Sequence, residues 1–280
     1  MKGKPMSDRN AEIPCPAEEA DAVSVTRPRA GVALVSIVSA PLGVLRHAVK
    51  RALWSVLRRL EADPEVRCLV LTGTGKAFSV GSDIRDFSQD IGWLLENDYW
   101  EAGLNQAIED ARFPALAACN GHTLGGGAVL ALACDIRVAS ASAKFGFPEV
   151  KVGAFASGSG TQRLPRLVGR GRALDLLLTG RVIDAAEALS YGLVEYVFPD
   201  GVMVEKTLDI AEGIAAFPGP VTAAAKRCVN VGLREGIRSG LALEQELRVR
   251  TGRGADASEG RQAFLEKRPA RFNVNEPREE

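Results

Sequence analysis

Residues 120–136 read NGHTLGGGAVLALACDI, and this stretch decides how the chain is built. Just before it, after the Phe113-Pro114 break, Ala115 to Cys119 is a continuous apolar run of the kind found in strands covered on both faces. Gly125, Gly126 and Gly127 then open a short apolar helix, Gly127 to Cys134, which feeds a strand from Asp135 to Ala139. Strand, glycine turn, helix and strand in this order form a βαβ unit, which predicts the α/β class. The turn also sets backbone N–H groups at the positive end of a helix, where an anion is favoured.

Toward the N-terminus the pattern repeats. Val66 to Leu71 is a second buried strand, and TGTGKAFSVGSDI (72–84) follows it as another glycine-containing loop. From Val44 to Leu60 apolar residues recur at helical spacing, with Arg46, Lys50, Arg51, Arg58 and Arg59 on the polar side, and Asp63-Pro64 ends the helix. His47 reads as a solvated residue of that helix. VSVTRP and VALVSIV flank a Pro28 to Gly31 turn and predict a hairpin. Residues 1–22 are polar, carry Pro5, Pro14 and Pro16, and are expected to be a disordered tail. Residues 23–215 are expected to form the core. Beyond residue 160 the period becomes helical, with candidates near 172–178, 184–190, 203–216, 219–234, 236–250 and 256–267, and 216–280 reads as a C-terminal helical region.

Composition excludes several classes. With 46% hydrophobic and 25% charged residues the chain is an ordinary globular protein, and 35 basic residues cancel 35 acidic ones. No overall field gathers nucleic acid or an anionic membrane. No apolar run reaches the length that spans a bilayer, and the first residues hold no apolar signal segment, so a cytoplasmic location is expected. Cys15, Cys68, Cys119, Cys134 and Cys228 lack metal-ligand spacing, and only His47 and His122 could activate a thiol. No metal site is expected.

Neither glycine loop fits a nucleotide site. GTGK lacks the first glycine of a P-loop and has Ala77 where a magnesium-binding hydroxyl belongs; GHTLGGG does not match GxGxxG. The two loops resemble instead the oxyanion loops of the crotonase, or enoyl-CoA hydratase/isomerase, superfamily. The likeness continues in order through FGFPEVKVG (145–153), SGSGTQRLPRLVG (157–169) and EGRQAFLEKRPARF (259–272), over residues 23 to 272.

The resemblance implies a crotonase-type ββα spiral core with a C-terminal helical oligomerisation region. It further implies a substrate that is an acyl-CoA thioester, coenzyme A being part of the substrate and no separate cofactor being needed. It assigns the backbone N–H of Ser82 and of Gly126 as oxyanion donors, and Glu149 as the carboxylate that moves the proton. Lys76, Ala77 and Phe78 correspond to an element lining the CoA groove, and Phe264 and Lys267 to residues reaching the CoA of a neighbouring subunit. Residues between Phe87 and Asn105, with Trp93, Leu94, Leu95, Tyr99 and Trp100, are expected to cover the acyl pocket. The helical tail implies a homotrimer or a dimer of trimers.

One position departs from the family. Hydratases carry a glutamate at the second residue after the GGG run, and here that residue is Val129. A single carboxylate at Glu149 suffices to take a proton from C2 of a 3-enoyl thioester and return it at C4, so a double-bond isomerase is the leading expectation. The alternatives are a hydratase or lyase that recruits a non-standard second acid, with Asp83 and Asp86 nearest in sequence, and a catalytically weak acyl-CoA-binding paralogue.

Overall fold

A computed structural model describes residues 22–39 and 41–272. In chain order the elements are β1 (Val23–Arg29), β2 (Val32–Ile37), α1 (His47–Ala62), β3 (Cys68–Gly73), β4 (Ala77–Ser79), α2 (Ile91–Asp110), β5 (Ala115–Cys119), β6 (His122–Leu124), α3 (Gly126–Ala133), β7 (Ile136–Ser140) and β8 (Lys144–Gly146). There follow α4 (Gly160–Val168), α5 (Arg170–Thr179), β9 (Val182–Asp184), α6 (Ala185–Tyr191), β10 (Tyr196–Phe198), α7 (Met203–Ala215), α8 (Gly219–Glu235), α9 (Ile237–Gly252) and α10 (Ala255–Glu266).

The hairpin β1–β2 is present at the edge of a six-stranded sheet ordered β1-β2-β3-β5-β7-β10, in which every pair after the first is parallel. Pro28 falls where the β1 register is interrupted, at an edge, so its missing N–H breaks no ladder bond. A second sheet, β4-β6-β8-β9, is built from three-residue strands. Each of β3, β5 and β7 is followed by a strand of the small sheet, so the chain winds as a ββα spiral.

Helix α7 covers one face of the large sheet, packing Met203, Leu208, Ala211 and Ala215 on Val32, Val70, Leu116 and Val138. The opposite face meets α1, α3 and the small sheet in the main core. Cover on both faces explains why β3 and β5 read as unbroken apolar runs. Helix α1 buries Val49, Ala52, Leu53, Val56, Leu57 and Leu60 as its spacing predicts. Lys50, expected on the polar side, is 1% exposed, because it turns toward α2 and finds partners there.

The C-terminal helices lie close to their expected bounds, and α8 is tied to the core by Lys226, whose Nζ donates to the carbonyls of Ile108 and Phe113 and pairs with Asp135 at 2.9 Å. Helix α4 and the small sheet are additions to the sequence reading. Most of 87–105 lies in α2. Of the tail expected at 1–22, residues 1–21, with Cys15, lie outside the described residues, whereas Ala22 is buried and its carbonyl accepts from the Val38 amide at 2.9 Å, so it belongs to the folded part. Among the described residues, no helix is long and apolar enough to cross a membrane, and no group of three or more His, Cys, Asp or Glu side chains is placed to hold a metal.

Candidate active site

The first glycine loop is fastened onto residues 42–45. Ser79 Oγ donates to the Gly43 carbonyl at 2.6 Å and accepts from the Gly81 amide at 3.1 Å, while the amides of Val80 and Leu45 bond to Leu42 and Gly81 carbonyls. The second loop leaves β6 at Gly125, whose φ of +53° reverses the chain into α3 and whose amide donates to Gly146 at 2.9 Å. Gly127 is needed for a different reason: a Cβ there would lie 2.3 Å from the Ser79 carbonyl oxygen.

These restraints bring the loops together. A Cβ on Gly81 would lie 2.7 Å from the Gly126 nitrogen, and one on Gly126 would lie 3.7 Å from the Ser82 nitrogen. The two amides assigned as oxyanion donors are therefore neighbours, and Gly126 stands in the first turn of α3, where the N–H has no partner within the helix. Paired amides at a helix N-terminus are suited to a developing oxyanion.

Glu149 follows β8 in a one-turn helix, Pro148–Val152, and its Oε1 is 3.5 Å from the position of a Cβ on Gly125. Its Oε2 is buried with no hydrogen-bond partner. Burial pushes this carboxyl above the ordinary carboxylate range; its own backbone amide opposes that shift and the charge of Glu101 adds to it. Such a group gains or loses a proton more readily near neutrality than an exposed glutamate does.

Val129 is 2% exposed and packs beneath Gly160, where a Cβ would lie 2.7 Å from its Cγ2. Beside it stands a residue the sequence reading missed. Glu101, on α2, lines a small cavity together with Lys50, Asn105, Gly126 and Val129. Its Oε1 lies 3.9 Å from the position of a Cβ on Gly126 and accepts from Lys50 Nζ at 2.6 Å and from Ser82 Oγ. The available signal was a lysine on the helix face that carries the apolar stripe.

The other candidates separate. Asp83 is held well below the carboxylate range by side-chain and backbone bonds from Arg85, with Arg46 adding to it, and Asp86 is exposed. Ala77 and Phe78 are wholly buried in β4, which leaves them only backbone contacts to offer, whereas Lys76 is exposed. Phe264 is 83% exposed and Lys267 is exposed at the end of α10. His47, read from the sequence as solvated, is half-buried with its ring tilted against Trp93 at 5.8 Å between centroids, and His122 is exposed. Burial pushes the thiols of Cys68, Cys119 and Cys134 up to about 12, so they are inert. A larger cleft of about 490 Å³, lined by Arg27, Arg29, Arg67 and Glu212 among others, includes no residue of either glycine loop.

Comparison with known proteins identifies the relatives of the whole chain. The family model described as enoyl-CoA hydratase/isomerase matches residues 28–275. A protein of Rhizobium meliloti (strain 1021) named "Probable enoyl-CoA hydratase" is 40% identical over 82% of this chain and 90% of its own length. The mitochondrial enoyl-CoA hydratase of Pongo abelii is 37% identical over 77% of this chain and 74% of its own. The crystal structure of an enoyl-CoA hydratase from Bacillus anthracis superimposes with a TM-score of 0.87 at 34% identity, covering 90% of this chain and 99% of that one. With its paired amides, its glutamate and these relatives, the chain belongs to the enoyl-CoA hydratase/isomerase family, the crotonase superfamily of enzymes.

Proposed function

We propose that the protein binds a 3-enoyl-CoA thioester and shifts its double bond into conjugation, with Glu149 as the one proton carrier. Glu149 takes the proton from C2, the electron pair passes to the thioester oxygen held by the amides of Ser82 and Gly126, and the same carboxyl returns the proton at C4. The product is the 2-enoyl thioester, and no water enters. The observation that carries this reading is the buried, unpartnered Oε2 of Glu149 beside Gly125. A carboxyl raised toward neutrality is matched to repeated uptake and release of one proton. Val129 offers no acid, and the Oε1 of Glu101 is already engaged by Lys50 and Ser82.

The second reading is hydration of a 2-enoyl thioester or the reverse lyase reaction, with Glu101 as the other acid; its place in the cavity wall favours this, and relatives carry hydratase names. Incubation with 2-enoyl-, 3-enoyl- and 3-hydroxyacyl-CoA, read by mass and absorbance, separates the two. Isomerisation conserves mass and hydration adds a water.

For the CoA moiety, Lys76 with the backbone of Ala77 and Phe78 forms one wall, and Phe264 and Lys267 reach it from a neighbouring subunit. Residues 87–105 cover the acyl chain; the exposure of Leu94, Leu95 and Tyr99 supports that assignment. The core at 23–215 binds the acyl-CoA, and the helical region at 216–280 makes the contacts between subunits. The assembly is a homotrimer or dimer of trimers in the cytoplasm, in keeping with the exposure of Ile237, Leu241, Phe264 and Leu265.

A further inference from the structure

Lys50 and Glu101 form an ion pair at 2.6 Å that no step above uses. Lys50 is 1% exposed, and an ammonium so far from water is tolerated only with close partners. Its Nζ finds two on α2, Asn97 Oδ1 and Glu101 Oε1, each at 2.6 Å. The same Oε1 accepts from the Ser82 hydroxyl and stands close to Gly126. One oxygen thus joins α1, α2 and the first glycine loop beside the N-terminus of α3. A pair that served only to hold α1 on α2 has no need to reach Ser82.

We propose that Glu101, tethered by Lys50, is a positioning residue for the oxyanion hole: through the Ser82 hydroxyl it holds the Ser82 amide beside that of Gly126. It acts through Ser82 and touches no reacting atom. Lys50 also offsets a negative charge that would otherwise stand next to the developing oxyanion. The inference rests on the reading of Ser82 and Gly126 as oxyanion donors.

The test is a double-mutant cycle on Ser82→Ala, which keeps the amide and removes the hydroxyl, and Glu101→Gln. Isomerisation of a 3-enoyl-CoA and exchange of the C2 protons of a saturated acyl-CoA in deuterated water are both followed. Each single variant is expected to lower kcat about 10- to 100-fold, the scale of a misplaced group, with KM changed only a few-fold. The pair together is expected to be no slower than the slower single, because one link is cut twice. If Glu101→Gln does not fold, Lys50→Met/Glu101→Gln replaces it, since it buries no lone charge, and the same loss is expected. Wild-type kcat in Ser82→Ala, additive losses, or a loss of hydration alone in Glu101→Gln would overturn the proposal. Gly126→Pro, which removes the N–H at the first position of α3 where proline is tolerated, keeps the outcomes distinct: wild-type exchange in that folded variant would overturn the oxyanion reading, whereas an impaired Gly126→Pro with a failed cycle overturns only the role of Glu101.

Discussion

A Cβ placed on Gly81 would lie 2.7 Å from the amide nitrogen of Gly126, so the two glycine loops meet with no room for a side chain between them. Gly81 also has a φ of +88°, which side chains rarely adopt. Gly81→Ala is expected to cost about 1–3 kcal/mol of stability from backbone strain. It is expected to lower kcat about 10²- to 10³-fold, the scale of a lost oxyanion donor. Thermal unfolding and steady-state kinetics check both; normal kcat in the folded variant would separate Gly81 from the site.

Glu149→Gln is expected to abolish turnover while CoA-thioester affinity changes only a few-fold, since the amide has the same shape and carries no proton between sites. The wild-type kcat/KM is expected to rise with pH through a limb displaced above the ordinary glutamate value of about 4.3, because burial raises this carboxyl and the ionised form is the base. Equal losses of binding and turnover would make Glu149 structural.

The same shift has a stability consequence with a definite sign. A carboxyl whose folded-state value is raised favours folding below the unfolded value, and that contribution is lost as pH rises through the folded one. Glu149→Gln is therefore expected to match the wild type in acid and to exceed it in stability at neutral pH. Denaturant titrations at several pH values check the trend, and a variant less stable than the wild type at neutral pH contradicts it.

Val129 lines the same cavity as Glu101 and touches Gly160. Val129→Glu places a second carboxylate there without room or partner, and is expected to cost several kcal/mol. In the folded fraction, hydration of a short 2-enoyl-CoA is expected to exceed that of the wild type.

Phe264 and Leu265 are 83% and 80% exposed on α10. If that helix meets a neighbouring subunit, Phe264→Asp/Leu265→Asp is expected to shift the sedimentation mass to smaller species and weaken CoA-thioester binding. Unchanged mass would remove α10 from the interface.

The two glycine loops and the placing of Glu149 after β8 were legible in the sequence because their geometry is local: each amide proposed as an oxyanion donor has glycines next to it in the chain. The parallel strands β3 and β5 were legible as continuous apolar runs. The small sheet was not, since strands of three residues are too short to show a period. Glu101 was hidden for another reason. It reaches the site from α2 through a partner on α1, and although Lys50 stands on the apolar stripe of its helix, nothing in either helix alone names Glu101 as the residue it meets. Asp83 and Asp86 are the acids nearest in sequence to the first glycine loop, whereas the carboxylate that lines the cavity beside Gly126 and Val129, Glu101, comes from a different helix.

The central claim is that one carboxyl, Glu149, carries a proton between C2 and C4 of an enoyl thioester. The most direct measurement is incubation of the wild type and Glu149→Gln with a 3-enoyl-CoA in deuterated water, with deuterium located in the product by mass fragmentation. The account predicts a 2-enoyl product from the wild type with deuterium confined to C2 and C4, little added water, and no conversion by the variant. Conversion by Glu149→Gln at the wild-type rate, or efficient hydration of a 2-enoyl-CoA by the unaltered protein, would contradict it.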